Sequence, residues 1–165
     1  MDTSLPIRKP LRLSAYNYSQ PGPYFVTMCI HHKQCLLGAI LSDRVQLTAA
    51  GRIVHSCWMG LPKRFAGLLL DEFVVMPNHF HGILAITRIS TSALRPPVGE
   101  GLAPPVGVSN APAQAECKNI TYTLPDVIGA FKSISTIEVN RLLRRRGLSL
   151  WQRGYYEHII RNART

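Results

Sequence analysis

Met76-Pro77-Asn78-His79-Phe80-His81-Gly82-Ile83-Leu84 is the stretch on which the fold turns. Ahead of it runs Leu68-Leu69-Leu70-Asp71-Glu72-Phe73-Val74-Val75, and behind it Ile83-Leu84-Ala85-Ile86. Both flanks are short apolar runs rich in Val, Ile, Leu and Phe, which marks them as buried strands. Met76-Pro77-Asn78 joins them, since Pro and Asn are turn formers. Side chains alternate faces along a strand, so residues two apart point the same way. His79 and His81 therefore share one face at the start of the second strand, and Phe80 enters the opposite layer. Two imidazoles aimed at one point can share a metal ion or a phosphate oxygen. For the two histidines alone, two strand residues satisfied by their neighbours is the plainer account.

Outward from this hairpin the chain supplies the other elements. Residues 5–22 mix Arg8, Lys9 and Arg12 with Tyr16, Tyr18, Pro21 and Gly22, without a helical period. They form an extended entry segment that either packs on the first strand or touches a nucleic acid by charge and stacking. Tyr24 to Ile30 is the first strand, since nearly every residue is a good β former. Leu36 to Ile40 then faces Val45 to Leu47 across Ser42-Asp43 in a short hairpin. Thr48 caps a helix from Ala49 to about Met59, with Ile53, Val54, Cys57 and Trp58 on its inner side, ended by Gly60 and Pro62.

Past Ile86 the composition changes. Residues 88–120 carry Pro96-Pro97-Val98-Gly99 and Pro104-Pro105-Val106-Gly107, an imperfect repeat in Ser, Ala and Gly. Such a segment buries too little apolar surface to offset ordering, so a flexible insertion is expected. Order returns at Thr123-Leu124-Pro125-Asp126, a capped helix start. Val127, Ile128, Phe131, Ile134 and Leu142 follow at helical spacings. The helix is expected to end among Arg141, Arg144, Arg145 and Arg146, with Gly147 as terminator. Arginines there suit the negative end of the helix dipole, and their density also suits phosphate. Tyr155 to Ile160 is the last main strand.

At 165 residues the chain fits one domain, able to bury roughly 70% of its extended surface without staples. Lys and Arg number 19 against 9 Asp and Glu, and that excess favours a polyanionic partner, nucleic acid before a membrane surface. No apolar run approaches the ~20 residues that span a bilayer. The start, Met1-Asp2-Thr3-Ser4, lacks a signal-peptide pattern. Cys29, Cys35, Cys57 and Cys117 form no CxxC pair, as expected of a chain in a reducing cytoplasm.

Strand, helix, strand, strand, helix, strand is the ferredoxin-like βαββαβ order. It predicts an α+β fold with a four- to five-stranded antiparallel sheet and both helices on one face. The other face is open to a ligand. His79 and His81 either meet that ligand or lie under the helices.

Four separated blocks then resemble one family. They are Tyr18 to Thr27 (YSQPGPYFVT), Met76 to Gly82 (MPNHFHG), Gly129 to Ser133 (GAFKS) and Trp151 to Asn162 (WQRGYYEHIIRN). Together, in this order, they are similar to the single-tyrosine HUH transposases, in particular the REP-associated tyrosine transposases of bacteria. The resemblance covers nearly the whole chain except the Pro-rich insertion.

It implies a single HUH transposase-like domain over residues 1–165. His79 and His81 would hold a divalent metal, Mg²⁺ or Mn²⁺, beside the scissile phosphate of single-stranded hairpin DNA. A tyrosine would attack that phosphate and form a phosphotyrosine intermediate. In the family that tyrosine lies on a helix after the WQRxYYEH-type strand, so the nucleophile is expected beyond Thr165 and the chain as given is expected to be inactive. Tyr155 and Tyr156 are the candidates within it. Arg8, Lys9, Arg12, Lys132, Arg144, Arg145, Arg146 and Arg153 are the expected DNA contacts, and Glu157 and His158 are structural or DNA-facing. Family members are often dimers, some exchanging the helix, so a homodimer fits. The alternative function is a non-catalytic module that binds hairpin DNA. An unrelated ferredoxin-like regulator with structural histidines is the third reading.

Overall fold

The computed structural model describes residues 16–87, 89–90, 117–118 and 122–160. Its elements are β1 (Gly22–Cys29), β2 (Gly38–Leu41), β3 (Arg44–Leu47), α1 (Ala49–Met59), β4 (Leu68–Val75), β5 (His79–Ile86), β6 (Ile89–Ser90), β7 (Cys117–Lys118), α2 (Leu124–Leu142) and β8 (Tyr156–Ile159). The main sheet has four strands in the order β4-β5-β1-β8, and each neighbouring pair is antiparallel. With β1, β4, β5 and β8 as the four main strands, this is the ferredoxin-like arrangement expected from the sequence.

Both helices lie on one face. Alternation along β1 and β5 puts Tyr24, Val26, Met28, Phe80, Leu84 and Ile86 into the core. Trp58 of α1 packs on Phe80 with ring centroids 4.7 Å apart, and Phe131 of α2 reaches the same ring at 5.3 Å. Gly82 is the glycine this packing requires. A Cβ there would meet Trp58 at 2.7 Å and Phe80 at 2.8 Å.

Caps fix the helix starts. Thr48 accepts the Gly51 N–H, and Thr123 and Asp126 form a capping box in front of α2. The end of α2 differs from expectation. The helix stops at Leu142, and Arg144, not Gly147, is the first residue to turn left-handed, at φ 51°. Of the four arginines only Arg141 belongs to the last turn, so the helix dipole does not account for Arg144, Arg145 and Arg146.

The ends of the Pro-rich insertion are joined where β6 pairs with β7, Ile89 opposite Lys118 and Ser90 opposite Cys117. The rest of 88–120, and Arg8, Lys9 and Arg12, lie outside the described residues. Among the described residues no helix is long and apolar enough to cross a membrane.

Candidate functional site

Cross-strand register maps the face that the helices leave uncovered. Cys29 stands opposite His79, and Thr27 opposite His81. Thr27 also faces Tyr156 on its other side, and Val74 flanks His81 from β4. Residues directly opposite in a ladder share a face. The row Val74–His81–Thr27–Tyr156 therefore crosses all four strands, with Ile83–Phe25–His158 in the next row. His79 and His81 are half-buried on this face, not sealed under the helices.

The two imidazoles have centroids 4.7 Å apart and planes at 82°. Imidazoles bound to one ion at about 2.1 Å, with centroids about 1.1–1.2 Å behind the nitrogens, stand about 4.6 Å apart at a right angle and about 5.3 Å at a tetrahedral angle. The centroid spacing thus matches that of two adjacent ligands of one divalent cation, and it is also that of two rings packed edge to face. Each ring is also held. His79 Nδ1 lies 2.7 Å from Asn78 Oδ1, and His81 Nδ1 lies 2.8 Å from Thr27 Oγ1. Phe25 stacks on His81 at 5.5 Å and 17°. Burial, and then the neighbouring His79, pushes the His81 imidazole below its ordinary pKa, which keeps it neutral and able to offer a lone pair. Among the described residues no third His, Cys, Asp or Glu joins a group that could hold a metal ion.

The turn beneath the histidines is tied down. The Asn78 carbonyl accepts the Ile30 N–H, and the Pro77 carbonyl accepts the Leu37 N–H, both at 2.9 Å. Pro77 is buried and Asn78 half-buried. This is the end of the sheet where β1 runs into His31 and His32.

The other expected site residues separate. Tyr156 lies on the histidine face, half exposed, two strands and about 10 Å of backbone from His81. Tyr155 instead packs against the core, Glu157 is buried on the helix side, and His158 is exposed on the histidine face. Lys132 takes an internal part that the sequence did not signal. Its ammonium donates to the carbonyls of Gln152, Arg153 and Gly154 at 2.6, 3.2 and 3.2 Å, so its three N–H groups are engaged within the protein. Arg153 is exposed.

Arg144, Arg145 and Arg146 come together with Arg141 and Asn140 around a groove of about 600 Å³. Arg145 also borders an adjoining groove of about 400 Å³ with His31, His32 and Leu148. His31 and His32 follow β1 directly, and nothing in their sequence spacing linked them to arginines more than a hundred residues away.

No protein-family model matches the chain. It is similar to the solved structure of a REP-associated tyrosine transposase bound to a REP hairpin, with a TM-score of 0.49, 16% identity and 92% of this chain covered. The chain spans 64% of that transposase's length. It is also similar to a presumed transposase from Deinococcus radiodurans, with a TM-score of 0.47, 16% identity, and 92% of this chain and 86% of that one covered. An uncharacterised protein of Haemophilus influenzae is 34% identical over 163 residues, covering 96% of this chain and 81% of the relative. At that identity and coverage, this chain and the Haemophilus influenzae protein belong to one family.

Proposed function

We propose that the chain is an HUH-type DNA-processing domain of the REP-associated tyrosine transposase kind, acting on single-stranded hairpin DNA. The observation that carries this is the histidine pair: two imidazoles on the open sheet face, spaced for one cation, each with its Nδ1 engaged. The four sequence blocks and the excess of ten positive charges support it. Hairpin DNA is the ligand to try first, because that is what the resemblance of the four blocks implies.

In this reading His79 and His81 hold a divalent cation, Mg²⁺ or Mn²⁺. When bound, the cation supplies Lewis-acid polarisation of the scissile phosphate. Imidazole is a softer ligand than Mg²⁺ prefers, so two histidines bind it weakly until phosphate oxygens and water complete the shell. The tyrosine oxygen attacks phosphorus, forms the phosphotyrosine bond and expels the 3′ oxygen of the broken strand. We place that tyrosine on a segment following β8. Tyr156, on the histidine face, is the in-chain alternative, and Tyr155 points the other way. The exposed Arg144, Arg146 and Arg153, with the half-buried Arg145, serve as backbone contacts.

The test is Mn²⁺ titration of the wild type and of the His79→Ala/His81→Ala double variant, with and without a hairpin oligonucleotide carrying a single-stranded flank. Saturable Mn²⁺ binding, tighter with DNA, is expected for the wild type. It should be lost in the double variant with little change in melting temperature. A denaturing gel of the same mixtures reads any covalent adduct: one that Tyr156→Phe abolishes assigns the attack to Tyr156, and one that Tyr156→Phe leaves intact assigns it to another tyrosine. Undiminished Mn²⁺ binding by the double variant would overturn the proposal.

A further inference from the structure

We infer that Asn78 and Thr27 are positioning residues: each engages the Nδ1 of one imidazole, so that both rings present Nε2 to the same cation. This rests on the cation reading above but concerns a property of the cation-free protein. An amide oxygen only accepts hydrogen bonds. Asn78 turns its Oδ1 to His79, 2.7 Å from Nδ1, while its Nδ2 points to the Lys33 carbonyl at 3.4 Å. His79 Nδ1 must therefore carry the proton and donate, which leaves the Nε2 lone pair free. That is the opposite tautomer from the one a free neutral histidine favours, so Asn78 selects it.

His81 has a partner of a different kind. The Thr27 hydroxyl, 2.8 Å from Nδ1, can donate or accept. Once Nε2 gives its lone pair to a cation, a neutral ring must hold its proton on Nδ1, and Thr27 becomes the acceptor. The supports are rigid in both cases. Thr27 is directly opposite His81 in the β1–β5 ladder, and Asn78 sits in a turn bonded to Ile30 and Leu37. Outer partners of this kind hold ligating imidazoles in one orientation, and losing one weakens metal binding by about 10- to 100-fold.

Two measurements decide it. Long-range ¹H–¹⁵N spectra of the cation-free protein report which nitrogen of each imidazole is protonated. His79 is expected as the Nδ1–H form in the wild type and as a mixture in Asn78→Ala. Mn²⁺ affinity is expected to fall about 10-fold or more in Asn78→Ala and in Thr27→Val, and to recover in Thr27→Ser, which restores the hydroxyl. Melting temperatures of Asn78→Ala and Thr27→Val close to that of the wild type control for disturbance of the turn and the ladder. An Nε2–H His79 in the wild type, or Mn²⁺ affinity unchanged in both Asn78→Ala and Thr27→Val, would sink the inference. If the wild type itself binds no Mn²⁺, the parent proposal fails, whereas the tautomer of His79 still judges this one.

Discussion

Gly82 shows how closely the histidine pair and the core are joined. It follows His81 directly and points the other way, into the helix layer, where Trp58 lies against the strand. Adding a Cβ requires the indole to move, and the indole is fully buried and packed on Phe80 and Phe131. Gly82→Ala is expected to destabilise the domain by about 1–3 kcal/mol, the range for overpacking a filled core. Gly129 is the contrast. It is exposed in α2, and nothing lies within 4 Å of where its Cβ would go. Gly129→Ala should stabilise by roughly 0.4–1 kcal/mol through the unfolded chain. Urea unfolding of the two variants checks both signs. At this scale the sequence makes legible that the two histidines share a face, because strand parity alone puts His79 and His81 together and Phe80 opposite. It takes the fold to show that this face is the one the helices leave open. The ring partners of the histidines are not legible in the sequence either. Thr27 is 54 residues from His81, and only the ladder register brings it there.

The elements depend on one another most visibly where α2 holds the last strand. Lys132 gathers three successive carbonyls, and one turn further on Ser135 accepts the Trp151 indole N–H at 2.8 Å. Segment 151–154 is thereby clamped to the helix and hands Tyr156 to the sheet edge. Its other side is bonded to β1 and the residues after it: Gln152 N–H to the Cys29 carbonyl, and His31 N–H to the Leu150 carbonyl. Lys132→Met keeps most of the apolar stem and removes the donors. It should cost about 1–3 kcal/mol, since three carbonyls lose their partner at once. Hydrogen exchange at the Gln152 and His31 amides should speed up more than in the β4–β5 ladder, and an even increase across the domain would count against the clamp. A lysine within GAFKS gives no sign of this in the sequence, because its partners lie 20 to 22 residues further along the chain. Helix starts, by contrast, are legible from Thr48 and from Thr123-Leu124-Pro125-Asp126, where the capping groups are local. The end of α2 is not, because Gly147 is the obvious left-handed residue by type, yet Arg144 turns first.

Over the whole molecule the excess of positive charge is plain from composition, but its placement needs the fold. The arginine groove past α2 adjoins the groove of His31 and His32, and Ile30, just before them, is bonded to the turn that carries His79. Under the proposed function, a polyanion seated among the arginines would lie beside His31 and His32. Charges of this sort act by releasing counterions, with a log–log salt slope of about −0.7 per phosphate neutralised on a single strand. Changing Arg144, Arg145 and Arg146 together to Ala should therefore weaken binding of a single-stranded oligonucleotide and flatten its salt dependence by about 0.7 for each phosphate left without its arginine. Mn²⁺ binding without DNA should stay as in the wild type, because the histidines and their Nδ1 partners are untouched. Affinity measured by fluorescence anisotropy at several salt concentrations gives the slope directly. A triple variant with the wild-type slope would place the DNA elsewhere on the surface and leave these arginines without a part in holding it.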